Sequence, residues 1–210
     1  MAEPLLENRD YTIIVAKTAP SVTLTPPGFK NAWNAAHAAV ITLAKQCEKL
    51  DPDGITVYIS SKDHPGDFRC YRQVKSEQLV AVFDENYPPE SLSLLDGLRT
   101  ALDDYFFRKA SGKTKPNGEI IIVLIDAEPR DRMAIAHTIA EASQNLERDE
   151  ELGIGFAQVG DDMIARGFLT SLDQDLRAYA GAKFDIVKTR VLAEISPSSL
   201  IEFLLSILGE

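Results

Sequence analysis

The chain has 210 residues, 45% hydrophobic and 26% charged, proportions ordinary for a globular protein and a length that suits one large domain better than two small ones. Its 32 acidic and 22 basic residues leave a formal net charge of −10, with Lys and Arg scattered rather than striped, which argues against DNA, RNA and anionic membranes as partners. Two isolated cysteines, Cys47 and Cys70, do not suggest a disulfide framework and point to a reducing, cytoplasmic setting; Met1–Asp10 lacks a signal-peptide core, and no apolar run approaches the roughly 20 residues of a membrane span.

Tyr11–Ala16 (YTIIVA) is β-branched and apolar, as a buried central strand is. Lys17–Gly28, with three prolines, reads as a loop. Asn31–Leu50 carries Trp33, Ala36, Val40, Leu43, Ala44 and Cys47 at helical spacing, and Asp51-Pro52-Asp53-Gly54 stops that helix. Ile55–Ile59 is a second strand, Ser60–Gly66 a turn-rich loop, and Phe68–Val74 alternates like an edge strand with one wet face. A short helix over Ser76–Asp84 is broken by Asn86–Pro89, and Ser91–Ala110 forms a longer one with Leu94, Leu95, Leu98, Leu102 and Phe106 on one side.

After the polar loop Ser111–Gly118, Ile120–Ile125 (IIIVLI) is the most apolar run in the chain and must be buried on both faces. Asp126 ends it, and Pro129 suits the first turn of a helix reaching about Leu146. Leu152–Val159 is a fifth strand; Asp161 or Asp162 can cap a helix to about Tyr179; Phe184–Val187 is a sixth strand; and Ser196-Pro197 opens a last helix to about Leu208. Strands separated by helices imply right-handed crossovers. The expected fold is therefore α/β and doubly wound: a mostly parallel six-stranded sheet, one antiparallel edge strand, and helices on both faces. Residues 1–10 read as an extension and 11–210 as one domain.

Open sheets of this kind bind ligands beyond the carboxyl ends of their strands, where strand order reverses. That places the site on three loops: Ala16–Ser21, Asn86–Ser93, and Asp126-Ala127-Glu128-Pro129. The architecture, the strand Tyr11–Val15, the turn and strand Asp51–Tyr58, the lead Lys115–Glu119 into Ile120–Ile125, and Asp126-Ala127-Glu128-Pro129 together resemble the von Willebrand factor A family, in particular small soluble bacterial members. The resemblance implies a binding module. It also implies a metal-ion-dependent adhesion site, which in the family takes Asp-x-Ser-x-Ser after the first strand, a Thr from the second loop and an Asp after the fourth strand. A hard cation such as Mg²⁺ needs such oxygen ligands.

This chain departs from that pattern. The first Asp position is Ala16, the first Ser position Thr18, and the second Ser position Pro20; the Thr position falls near Ser91, and the last Asp is Asp126. Alanine cannot coordinate and proline brings no donor, so the expected function is a non-catalytic, metal-independent protein-binding module using Lys17, Thr18, Ser21, Ser91, Asp126 and Glu128, with no cofactor. The alternative is an adhesion-type domain holding Mg²⁺ or Mn²⁺ on Thr18, Ser91 and Asp126. A third reading makes Asp126 a phosphoacceptor, but Ala16-Lys17 lacks the acidic pair such a receiver needs.

Blander readings compete. Asp126 can simply cap the helix near Pro129, and that reading is preferred for it. His37, His64 and His137 lack metal-ligand spacing, while Asp103-Asp104 and Asp161-Asp162 fit a solvated face and a helix start better than an acid–base pair. Gly153, Gly155 and Gly160 do not match G-x-G-x-x-G, and no nucleophile elbow or P-loop occurs.

Overall fold

The computed structural model describes residues 3–18, 29–196 and 199–209. Six strands form one sheet: β1 (Asp10–Ala16), β2 (Ile55–Ser61), β3 (His64–Val74), β4 (Glu119–Ile125), β5 (Leu152–Gln158) and β6 (Val187–Val191), ordered β3-β2-β1-β4-β5-β6. Every neighbouring pair is parallel except β2 with β3, so the sheet is the mostly parallel one expected, with its antiparallel strand at one edge. The central strands are covered on both faces, which is why β4 can be apolar at nearly every position.

Seven helices accompany the sheet among the described residues: α1 (Glu3–Leu6), α2 (Phe29–Leu50), α3 (Leu79–Glu85), α4 (Leu94–Ala110), α5 (Arg132–Gln144), α6 (Met163–Ala180) and α7 (Leu200–Ile207). Alternation along the strands splits the core into two layers. Ile14, Ile121, Val123 and Ile154 face α4, α5 and α6. Ile13, Val15, Ile122 and Leu124 face α2, α3 and α7. The segment before β1 belongs to the second layer: Leu6 is fully buried there, and buried Arg9 donates to the carbonyl oxygens of Leu5 (3.0 Å) and Glu119 (3.4 Å).

Several boundaries differ from the sequence-based ones, for physical reasons. The helix after β4 begins at Arg132, not near Pro129: the first helical bond runs from Ile135 N–H to the Asp131 carbonyl, and 126–131 remains a loop. β6 is VKTRV, not the more apolar Phe184–Val187. As an edge strand it is only half-buried beyond Val187, so hydropathy marks it poorly. α4 starts after Ser91, at Leu94, because the hydroxyl of Ser93 accepts from Asp96 N–H at 3.2 Å. At the last helix Ser196 and Ser199 satisfy each other reciprocally: the Ser196 hydroxyl accepts from Ser199 N–H (3.2 Å), and the Ser199 hydroxyl from Ser196 N–H (2.9 Å). Pro197 lies outside the described residues.

Gly153 and Gly155 are packing devices in β5. A Cβ on Gly153 would collide with the Ile207 side chain and stand 3.1 Å from the Ile207 carbonyl oxygen; one on Gly155 would reach 3.0 Å from the Phe203 ring. Their absence lets α7 lie directly on the strand. Among the described residues no helix is long and apolar enough to cross a membrane.

Candidate functional site

Strand order reverses between β1 and β4, so their carboxyl ends diverge into a crevice. The register pairs Ala16 with Ile125, which sets residues 17 and 126 side by side one step beyond the sheet. There the Lys17 ammonium donates to Asp126 Oδ2 at 2.9 Å and to the Thr18 carbonyl at 3.4 Å. Thr18 approaches from the same loop, its amide 3.3 Å from each Asp126 oxygen and its hydroxyl 3.4–3.5 Å from them. Lys17 is only 5% exposed and Asp126 16%, so the pair is largely withdrawn from water.

Above this pair lies a cleft of about 150 Å³ lined by Thr18, Glu90, Ser91, Asp126, Glu128 and Arg130, with Ala16, Leu92 and Leu94 among the apolar contacts. The fold therefore brings Thr18, Ser91, Asp126 and Glu128 to one cleft, with Lys17 paired to Asp126 at its base. Ser21 and Pro20 lie outside the described residues. Glu128 is further engaged by Arg132, four residues on at the start of α5, at 2.8 Å. Asp126 caps no helix: α5 starts six residues later, and the carboxylate is turned into the β1 loop. The cap reading is corrected, because a lysine across the crevice is a stronger acceptor-directed partner than distant helix amides.

The donor set fits a divalent cation poorly. An ammonium already lies at hydrogen-bond distance from the one carboxylate of the motif, and Ala16 offers no oxygen. A second positive charge beside it would be repelled. Among the described residues no three His, Cys, Asp or Glu side chains converge as metal ligands do. His37 instead stacks on Phe83 with ring centroids 4.4 Å apart, and His137 is exposed. Asp162 caps α6 by accepting from Ala165 N–H at 2.7 Å.

A second charged cluster, at the opposite end of the sheet, went unmarked in the sequence. The Arg108 guanidinium binds Asp104 (2.9 Å), Asp10 (2.7 Å) and the buried Glu119, whose other oxygen accepts from the Thr12 hydroxyl at 2.5 Å. Burial pushes the Glu119 carboxyl up, and Arg108 opposes that push. Lys115 bridges Asp51, Asp53 (2.6 Å) and Asp10 (3.5 Å) beside it. Arg108 and Lys115 each bridge several of these carboxylates across β1, β4 and α4, so the cluster ties the fold together at the end remote from the cleft. Only a pairing of Glu119 with Arg108 across 11 positions would have revealed it, and no local spacing does. An apolar cavity of about 200 Å³ also opens between α2 and α7, lined in part by Val40, Leu43, Leu124, Leu200 and Phe203; among the described residues its lining holds no titratable group.

The molecule is thus an open α/β domain with a cleft at its switch point and a buried ion pair beneath it. No family model matches the chain, and no curated protein matches it by sequence. Among solved structures it is similar to proximal thread matrix protein 1 of the mussel byssus, with a TM-score of 0.56 and 15% identity over 96% of this chain and 48% of that one. It is also similar to the pilus adhesin SpaC of Lactobacillus rhamnosus GG, with a TM-score of 0.50 and 12% identity over 96% of this chain and 30% of that one. At such identities the likeness is one of fold. The chain spans about half of the first protein and under a third of the second.

Proposed function

We propose that this chain is a von Willebrand factor A-type module that binds a protein partner through the loops at its switch point, without a metal ion and without catalysis. The observation that carries the reading is the Lys17–Asp126 pair: the ammonium supplies, from within the chain, the positive charge that a bound cation would bring to that carboxylate. The β1 loop and Asp126 are then held by direct bonds, and the cleft above them is preformed for contact. Two structural neighbours of the same fold, a byssal thread matrix protein and a pilus adhesin, are in keeping with an interaction role. Among the described residues no nucleophile–base pair lines the cleft, and the reading therefore assigns it no catalytic step.

The test is site-specific photo-crosslinking in the cell of origin, with a benzophenone amino acid at Ser91 or Glu128, repeated in EDTA. The expected result is a discrete adduct from these positions that survives EDTA and disappears when Lys17→Glu is introduced. Absence of adducts from both positions would overturn the loop-binding reading. An adduct that EDTA abolishes would replace it with the Mg²⁺- or Mn²⁺-dependent one on Thr18, Ser91 and Asp126.

A further inference from the structure

We infer that the groove between α5 and α6 is a second docking surface, built for an apolar helix flanked by basic residues. Ile164, Phe168, Ser171, Asp175 and Tyr179 recur every three or four positions along α6, and so form one stripe. From Ile164 to Tyr179 the helix spans about 24 Å, between four and five turns. Met133 and Arg132 of α5 form the facing wall, and the groove encloses about 550 Å³.

Three features set it apart from ordinary surface. First, large apolar side chains crowd its mouth: Met133 is 57% exposed, Met163 69% and Ile164 65%, with buried Phe168 beneath them. Such a cluster costs solubility in a free domain and marks a contact surface. Methionines in particular repack around an incoming side chain. Second, Gly167 lies within α6 at the groove, where a Cβ would meet nothing within 4 Å among the described residues. No internal packing requires that glycine, yet in mid-helix it costs roughly 0.5–1 kcal/mol relative to alanine. Its effect is to leave the floor low where a partner backbone can approach.

The third feature is charge. Glu128 and Asp175 line the groove, and Asp161 and Asp162 stand exposed immediately before α6. Among the described residues the one cation in the lining, Arg132, is bonded to Glu128 at 2.8 Å, so these two offset each other and Asp175, with Asp161 and Asp162 beside it, carries the excess negative charge. Arg166 turns towards Gln158, at 3.5 Å, on the other side of α6. Acidic rims around an apolar floor call for Lys or Arg flanking the partner's apolar face. They also disfavour a second copy of this chain, which would bring the same carboxylates and a net charge of −10. Glu128 borders both the groove and the switch-point cleft, so a single partner can cover the two.

The test uses an 18-residue amphipathic peptide of Leu and Lys, a Leu and Glu counterpart with the same apolar pattern, and full-length protein labelled with ¹³C at the methionine methyls, in 150 mM NaCl. The expected result is a saturable shift of the Met133 and Met163 resonances with the Lys peptide, and binding at least tenfold weaker for the Glu peptide. Gly167→Leu, which fills the floor, and Ile164→Glu, at an exposed position, should each weaken the Lys peptide at least tenfold. Unmoved methionine resonances, equal response to the two peptides, or unaffected binding by both variants would overturn the proposal. So would shifts that follow protein concentration with no peptide present, which would make a second copy the occupant. Because no loop partner is present in the assay, failure here leaves the switch-point reading standing, and the converse holds.

Discussion

Replacing Lys17 with methionine keeps the length and apolar stem of the side chain and removes its charge and donors. In the folded protein the two groups are 2.9 Å apart, Lys17 5% exposed and Asp126 16% exposed. Removing one partner of a fully buried ion pair costs about 3–5 kcal/mol, because the remaining charge is left uncompensated where water is scarce. Asp126 is partly solvated and keeps the Thr18 amide at 3.3 Å, so the expected cost is nearer about 2 kcal/mol. For a chain of this size that is a fall of roughly 4–8 °C in the unfolding midpoint. Asp126→Asn strands the Lys17 ammonium instead and should cost a similar amount. The double variant buries neither charge, so its loss should fall short of the sum of the singles by about 1–2 kcal/mol. Urea unfolding of the four proteins at pH 7 in EDTA, followed by circular dichroism, measures that coupling. A coupling below about 0.5 kcal/mol, the ordinary error of additivity, would mean that the ammonium is not the counter-charge of Asp126, and the argument for a metal-independent site would lose its basis.

Other outcomes are expected from the same structure. Burial, helped by a hydrogen bond with Asp53 and opposed by Lys115, raises the Asp51 carboxyl to about 6. Since its folded value lies above that of the unfolded chain, its contribution to stability is full below about pH 4 and is lost as pH rises through about 6. Asp53 is shifted the other way, chiefly by its bond with Asp51, and so acts below that window, losing its contribution as pH falls. Asp51→Asn should therefore gain about 1–2 kcal/mol on the wild type between pH 4 and pH 7 in urea unfolding; a constant difference across that range would refute the assignment. Gly153→Ala forces a methyl against the stiff, β-branched Ile207 and should cost about 1–3 kcal/mol, with a gain in stability counting against direct α7–β5 contact. Gly167→Ala meets open space in mid-helix and should raise stability by roughly 0.5–1 kcal/mol; a loss would show that the groove floor is already packed. Millimolar Mg²⁺ or Mn²⁺ should leave the wild-type midpoint where EDTA leaves it, whereas a rise that Asp126→Ala removes would restore the metal-dependent reading.

Much of the fold was readable because it rests on local patterns. Runs such as YTIIVA and IIIVLI can only be strands buried on both faces, the 3.6-residue stripe of α2 needs one apolar side, and alternation with helices dictates parallel crossovers. The three loops of the site follow from those crossovers alone, since a switch point is a property of topology. Less legible were features that depend on register and on contacts between distant segments. Asp126 ends a strand and precedes a proline, a local context that suits a helix cap; only the pairing of Ala16 with Ile125 brings Lys17 to its side across 109 positions. Glu119 looks like the polar start of an apolar strand until Arg108 is seen to bind it, and the edge strand β6 shows too little apolar periodicity to be placed within a few residues. Hydrophobic period is written along the chain, residue by residue, so the sequence by itself determined the layers and the order of elements. Which charges neutralise one another, and which apolar side chains are left uncovered between α5 and α6, are decided only when the layers pack, because burial and partner distance exist in three dimensions alone.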